Sequence, residues 1–469
     1  MTAAGARPWT GFLFPGQSSE YVGMGVELHR EHPLFRAGVD RHAEQFRRLT
    51  GISPLDVFAD PAAQTRAELL QPAVFLLQVA LAEFWTSCGV RPDAVVGHSL
   101  GEYAAACVAG VFGVEEGLEL VSARGRAFAA VPGAGRMVAV GGPDPAELES
   151  LVAAYGDAAS VAAYNAPERI VVSGTDEAMA ELVTAFERRG WLTIALETTH
   201  AFHSTSVAPA VPALVEAAGR IRHRTPAVPL ALNLTGGWAE GGELGADYWG
   251  RQLTSPVRFM GGVRALMDHG CTVFLEVGPG RTLTTAGRAQ SGGNELWLSG
   301  LSPRTPDSVT VLEHLTHLEE AGIPVDWVRY HAPFRATGRT AGADRPAADR
   351  PAPAPSTELP FRIERVVIHE SASAARSGVA VVRHRVGGTE REVVDVSVVD
   401  DAGRPIVEVF GLELAAGTGE EAGGPDQLTP EEAERLLASL DGLTEDQLQD
   451  LLPLWAGPGA STPVGSTEE

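Results

Sequence analysis

The stretch AVVGHSLGEYAAACVAG, residues 94–110, decides the fold and poses the chemical question. Ala94, Val95 and Val96 run into Gly97, a short run apolar on both faces, as a strand buried inside a sheet is. After Ser99 the chain turns to Gly-Glu-Tyr and then to the small helix formers Ala104, Ala105 and Ala106. A serine between two glycines at a strand-to-helix junction is a nucleophile elbow. The glycines permit a tight turn, and the serine Oγ stands above the sheet. The helix that follows aims its first N–H groups at any oxyanion formed there. Ser99 therefore reads as a nucleophile.

Outward from the elbow, residues 9 to about 330 alternate short apolar strands with helices. GFLFPG (residues 11–16) is closed by Pro-Gly, and QPAVFLLQVALAEFWTSCGV (residues 71–90) has helical length with Pro72 suited to its first turn. Such alternation predicts a mainly parallel sheet covered by helices. Between 133 and 200 the pattern changes to strand, helix, two strands, helix and strand, ending in LTIALE (residues 192–197). That is a small inserted α+β unit. The large subdomain is thus expected at 9–132 and 201–330, with the insert at 133–200.

Residues 331–357, rich in Ala, Pro, Gly and Arg, read as a linker. Strand patterns return over 358–416, where REVVDVSVVD and PIVEVFGLELA flank DAGR as a hairpin would. Over 425–457 two acidic helical segments each open on a capping box, Thr429 with Glu432 and Thr444 with Gln447.

Composition narrows the function classes. The formal net charge is −24, and all 36 basic residues are arginine. Nucleic-acid binding needs a basic footprint, so this balance argues against it. The acid is concentrated late: residues 408–469 hold fourteen acidic residues against Arg435 alone. The start lacks the basic and long apolar regions of a signal peptide, and no run of about twenty apolar residues suggests a membrane span. The cysteines Cys88, Cys107 and Cys271 are odd in number and widely spaced, which fits a reducing cytoplasm and neither a disulfide framework nor a metal site.

A serine hydroxyl needs a base. His200 and His203 in ETTHAFHSTS (residues 197–206) follow a predicted strand and are the candidates; spacing does not choose between them.

Eight motifs occur in order: FLFPGQ, LLQPAVF, GHSLGEYAAACVAGV, LVSARGRAF, YNAPERIVVSG, HAFHS, RQLTSPVRF and LEVGPGRTLT. In them, residues 10 to about 330 resemble the acyltransferase family of fatty acid and polyketide synthases, the malonyl-CoA:acyl carrier protein transacylases. With the alternation above, the fold class expected is α/β. A hydrolase-like core with a mainly parallel sheet carries an inserted ferredoxin-like α+β subdomain; a linker, a small β-rich region and an acidic helical tail follow.

The resemblance implies a ping-pong transfer. Ser99 takes the acyl group of an acyl-CoA and passes it to the phosphopantetheine thiol of an acyl carrier protein, with malonyl-CoA as substrate and no other cofactor or metal. It makes His203 the base, held by the backbone carbonyl of Gln252, and makes the N–H groups of Gln17 and Leu100 the oxyanion hole. Arg124 would pair bidentately with the free carboxylate of the acyl group, a task its planar fork suits. Gln71 and Asn165 would line the acyl pocket, and His98 would help shape it. HAFH is the usual sequence of the malonyl branch, where methylmalonyl enzymes tend to have YASH. His200 and Phe202 are therefore the specificity positions, Phe202 filling the space a 2-methyl group needs. Such a gate is worth roughly 1–3 kcal/mol.

The family's usual GQGSQ is GQSSE here, residues 16–20, which bears on the loop near the oxyanion hole and not on the reaction class. The chain opens directly on the acyltransferase motifs, which suggests action in trans on carrier proteins of other chains. Residues 358–416 are similar to the last strands of polyketide dehydratase hot-dog domains. That domain's HxxxGxxxxP motif is absent, so no dehydration is expected; the region and the acidic tail would serve as a surface for other synthase subunits. Two further readings compete. One is an editing hydrolase that uses the same Ser99 and His203 to clear carrier proteins; the other is a non-catalytic scaffold. An arginine run at Arg220, Arg222 and Arg224 is a candidate surface for an acidic carrier protein.

Overall fold

The structure is a computed structural model. It describes residues 7–17, 19–131, 135–196, 198 and 200–336, and the strand residues 361–362, 365–368, 379–385, 391–399 and 405–415. Ser18, most of the expected linker and the two expected acidic helices lie outside the described residues.

In chain order the strands of the first unit, which ends at Val325, are β1 (Trp9–Phe14), β2 (Ala94–Gly97), β3 (Arg136–Gly141), β4 (Ala159–Ala166), β5 (Arg169–Gly174), β6 (Leu192–Leu196), β7 (Leu230–Ala231), β8 (Cys271–Glu276) and β9 (Leu296–Leu298). Five of them form one sheet in the order β7-β2-β1-β8-β9, every pair parallel. Its central strands are buried on both faces, which is why β1, β2 and β8 read as nearly unbroken apolar runs.

Helix Ala67–Ser87 packs between helices Pro33–Thr50 and Val114–Ala129. It corrects one expectation. It begins five residues before Pro72, which therefore sits inside the helix. It is also 21 residues long and holds an 18-residue window of mean hydropathy 1.4, apolar enough by composition to cross a bilayer, yet 89% of that window is buried in the protein. A helix apolar all round is what the middle of a large core requires.

The insert runs strand-helix-strand-strand-helix-strand into an antiparallel sheet ordered β4-β5-β3-β6. Alternation along β3 divides its side chains between two faces. Val138 and Val140 pack under helices Pro145–Ala153 and Asp176–Glu187, while Met137 joins the core shared with Val263, Leu266 and Phe274. A backbone seam ties the insert to the large subdomain: Tyr164 N–H donates to Val257 O and Val257 N–H to Ala162 O, both at 2.9 Å.

The second unit, from Asp326, contains helix Trp327–Ala336 and the strands β10 (Phe361–Arg362), β11 (Arg365–Ile368), β12 (Val379–Arg385), β13 (Arg391–Val399) and β14 (Pro405–Ala415). These form an antiparallel sheet in which β13 and β14 pair as the sequence pattern predicts.

Candidate active site

Ser99 stands between β2 and helix Gly101–Val108 with φ at +52°, a left-handed conformation rare for a residue with a side chain. The glycines around it are steric requirements. A Cβ on Gly97 would lie 2.2 Å from Glu102 N, and one on Gly101 would lie 1.9 Å from Phe14 O. Ser99 Oγ is 2.7 Å from His203 Nε2. The other ring nitrogen, Nδ1, is 3.0 Å from Ser255 O and 3.2 Å from Gln252 O. Two carbonyls at Nδ1 require the proton there, which leaves Nε2 as an acceptor for the serine O–H. Burial, followed by the charge of Arg124, pushes His203 down to about 3, so the ring is neutral near neutral pH. Of the two candidate histidines, the geometry brings His203 to the serine. His200 packs behind it, with ring centroids 5.7 Å from Phe202 and 6.3 Å from Phe128.

Arg124, only 2% exposed, donates from one terminal nitrogen to Ser99 Oγ (3.2 Å) and from the other to Gln71 Oε1 (2.8 Å). Its guanidinium carbon lies 4.7 Å from the centre of the Phe128 ring and 5.5 Å from that of Tyr103. Among the described residues it forms no ion pair, and its Nε has no hydrogen-bond partner. A buried cation without a counter-charge is costly, and the two rings offset only part of that cost.

A cavity of about 650 Å³ opens over Ser99 between the two subdomains, lined by Gln17, His98, Arg124, Asn165, Phe202 and His203 among others. Asn165 sits at a bulge in β4 and meets His98 Nε2 at 2.8 Å, linking the insert to the elbow strand. Gln71 and Gln252 stand behind the cavity wall. Gln71 bridges Arg124 and Gln17, donating to Gln17 Oε1 at 2.9 Å, and Gln252 donates to Ser99 O at 2.8 Å. Leu100, fully buried, follows Ser99 at the helix N-cap. Phe202 meets Phe128 edge-on at 4.9 Å.

The sequence reading missed Ser255 and Asn233. Asn233 Oδ1 accepts from the Ser99 N–H at 2.8 Å, and its Nδ2 donates to Gly97 O at 2.7 Å. No local signal marks Asn233: it closely follows β7, and only the strand order of the folded sheet makes β7 the parallel neighbour of the elbow strand β2. The Arg220–Arg224 run lies at the other end of the elbow helix from Ser99, where Arg224 N–H bonds Val111 O. Arg220 pairs with Glu216 and Arg224 with Glu116, so carboxylates already engage two of its three arginines. Among the described residues, no cluster of His, Cys, Asp or Glu could hold a metal ion.

A serine, a neutral histidine with a fixed proton and an unneutralised arginine can together carry an acyl group bearing a carboxylate. Comparison with known proteins bears on that chemistry. Residues 11–322 match the acyl transferase domain family, and residues 339–423 match the polyketide synthase dehydratase N-terminal domain. The chain is 35% identical over 339 residues to the PKS-NRPS hybrid synthetase acdB of Aspergillus candidus, covering 70% of this chain and 14% of that one. It is 35% identical over 365 residues to the phenolphthiocerol synthesis polyketide synthase type I Pks15/1 of Mycobacterium marinum, covering 75% and 17%. It thus spans less than a fifth of the length of either relative. Among solved structures, the acyltransferase domain from the second module of the salinomycin polyketide synthase is similar with a TM-score of 0.66 at 34% identity, covering 72% of this chain and 79% of that domain. The malonyl CoA-acyl carrier protein transacylase from Clostridium perfringens is similar with a TM-score of 0.61 at 25% identity, covering 67% and 98%.

Proposed function

Since the chain belongs to the acyltransferase family, in its polyketide synthase form, we propose that it moves a malonyl group from malonyl-CoA, through an ester on Ser99, to the phosphopantetheine thiol of an acyl carrier protein. As Ser99 Oγ attacks the thioester carbonyl, His203 Nε2 takes its proton. The oxyanion rests on the N–H groups of Leu100 and Gln17; the C–S bond then breaks, and the coenzyme A sulfur leaves with the proton from His203. In the second half the carrier thiol gives its proton to His203 and attacks the ester. The serine oxygen takes that proton back as it departs. His203 relays each proton between the serine oxygen and a thiol sulfur, and the cycle as proposed calls on no metal or further cofactor.

One observation carries the choice of substrate class. Arg124 is buried beside the nucleophile without a carboxylate partner among the described residues. An acetyl group would leave it uncompensated, while the free carboxylate of malonyl would satisfy it with two charged hydrogen bonds. Phe202, braced by Phe128, supports malonyl over its 2-methyl homologue. Transfer in trans, to a carrier protein on a separate chain, is part of the proposal. So is a cytoplasmic setting, which suits the thiols of Cys107 and Cys271.

The test is intact-protein mass spectrometry after brief mixing with malonyl-, methylmalonyl- and acetyl-CoA in competition, beside Ser99→Ala. A malonyl adduct that disappears in the variant and passes to an added carrier protein is the expected result. A dominant acetyl adduct would refute the role given to Arg124. Coenzyme A released with no adduct would make the editing hydrolase the better reading.

A further inference from the structure

Both peptide groups of Ser99 are held by side chains. Its N–H donates to Asn233 Oδ1 and its C=O accepts from Gln252 Nε2, each at 2.8 Å. Those two residues converge on one carboxylate. Glu102, fully buried in the first turn after the elbow, accepts from the backbone N–H of Asn233 at 2.8 Å, from Gln252 Nε2 at 3.1 Å, and from the Tyr248 hydroxyl. Gln252 adds a further link, because its backbone carbonyl is one of the two that hold His203 Nδ1.

The first-turn position alone would account for an exposed carboxylate stabilised by the helix dipole. It does not account for a buried one. Burial pushes Glu102 up to about 7, and among the described residues it forms no ion pair. A buried carboxylate without a counter-charge is costly to keep. Its three neighbours, however, are all donors, and an ionised carboxylate is an acceptor only. Glutamine, of the same shape, would set an N–H against one of them.

We propose that Glu102 is a positioning residue: by fixing Asn233 and Gln252 it holds the left-handed backbone of Ser99 and the ring of His203 in their mutual contact. The proposal rests on the reading of Ser99 as the acyl-carrying residue. Glu102 touches neither substrate nor the reacting atoms and acts through the two amides.

The full chain at pH 8, with Glu102→Gln and Tyr248→Phe beside it, supplies the test. Rapid-quench mass spectrometry gives the limiting rate of acylation by malonyl-CoA and the concentration for half-saturation. A small sulfonyl fluoride reports Ser99 reactivity without any coenzyme A site, and thermal melts report folding. Leaving a buried donor unpaired should lower the limiting rate about tenfold or more in Glu102→Gln and by a smaller factor in Tyr248→Phe. Half-saturation should stay in place, and sulfonylation should slow by the same factor. A wild-type limiting rate in Glu102→Gln, or a loss confined to half-saturation, overturns the proposal. Should that variant fail to fold, Tyr248→Phe decides by the same two criteria. A wild-type chain that takes no malonyl would refute the proposed malonyl loading, and the sulfonylation rates would still decide for or against Glu102.

Discussion

Ser99 and His203 share a backbone conformation as well as a hydrogen bond. Among the described residues they are the two non-glycine positions with positive φ, +52° and +59°, and their side chains meet at 2.7 Å. Each left-handed residue with a Cβ costs about 1–2 kcal/mol, an outlay that recurs at functional sites. Replacing Ser99 by alanine or glycine removes Oγ in both cases, so the two variants differ only in backbone preference. Ser99→Gly should be the more stable by about 1 kcal/mol in urea unfolding, with neither forming an adduct. An alanine variant as stable as the glycine one would show that the turn is unstrained.

The glycines of the elbow are predicted to be irreplaceable for a steric reason. Gly97→Ala and Gly101→Ala each drive a methyl group into backbone at about van der Waals overlap, 2.2 Å and 1.9 Å from the nearest atom. Both should abolish loading and lower soluble yield. Gly219→Ala, at the end of helix Val211–Gly219 with open space around it, should melt at or above the wild-type temperature.

Truncating Arg124 separates binding of a carboxylate from attack on a thioester. Arg124→Ala should slow malonyl loading by roughly 10²–10³-fold, the range for removing one partner of a buried charge pair. Acetyl loading should fall far less, so the malonyl-to-acetyl ratio measured in competition should collapse. An unchanged ratio would place the acyl carboxylate elsewhere.

Phe202→Ser opens the space beside Phe128. The methylmalonyl-to-malonyl ratio of adducts should rise by roughly tenfold, the scale of a one-methyl gate. No rise would move the selectivity to another wall of the cavity.

Asp307 gives a pH-dependent signature in stability. Burial, together with the charge of Glu27, raises its carboxyl to about 7, while Tyr21 and Gly25 donate to it. A folded-state value above the unfolded one means that its contribution is complete below about pH 4 and is lost as pH rises through about 7. Asp307→Asn cannot titrate. Its melting temperature relative to wild type should therefore climb between pH 5 and pH 8, and a flat difference would show Asp307 ionised throughout.

What the sequence makes legible is local. Gly97 and Gly101 mark the elbow because the turn admits no side chain there, and the switch of pattern near 133 marks the insert because two-residue alternation follows strand faces. Ser255, Asn233 and the buried role of Glu102 escape such a reading. Asn233 meets Ser99, Ser255 meets His203, and Glu102 meets Asn233 and Gln252, each across a long sequence separation that only the tertiary fold closes. Gln71 shows the same limit: its motif points to the acyl pocket, yet it stands behind Arg124 and touches Gln17. Helix Ala67–Ser87 shows another, since apolar length cannot by itself distinguish a lipid surrounding from a protein one.

The backbone seam between Val257 and the strand holding Ala162 and Tyr164 bears on how such a domain can be re-engineered. A graft that exchanges residues 133–200 for those of a relative, to alter which acyl unit is accepted, would set a foreign strand edge against the peptide between Gln252 and Arg258. That peptide steers His203 through its carbonyls. The transplantable unit is therefore discontinuous: the insert and this strip form a matched pair, and chimeras that move both should keep their turnover where those that move the insert alone lose it.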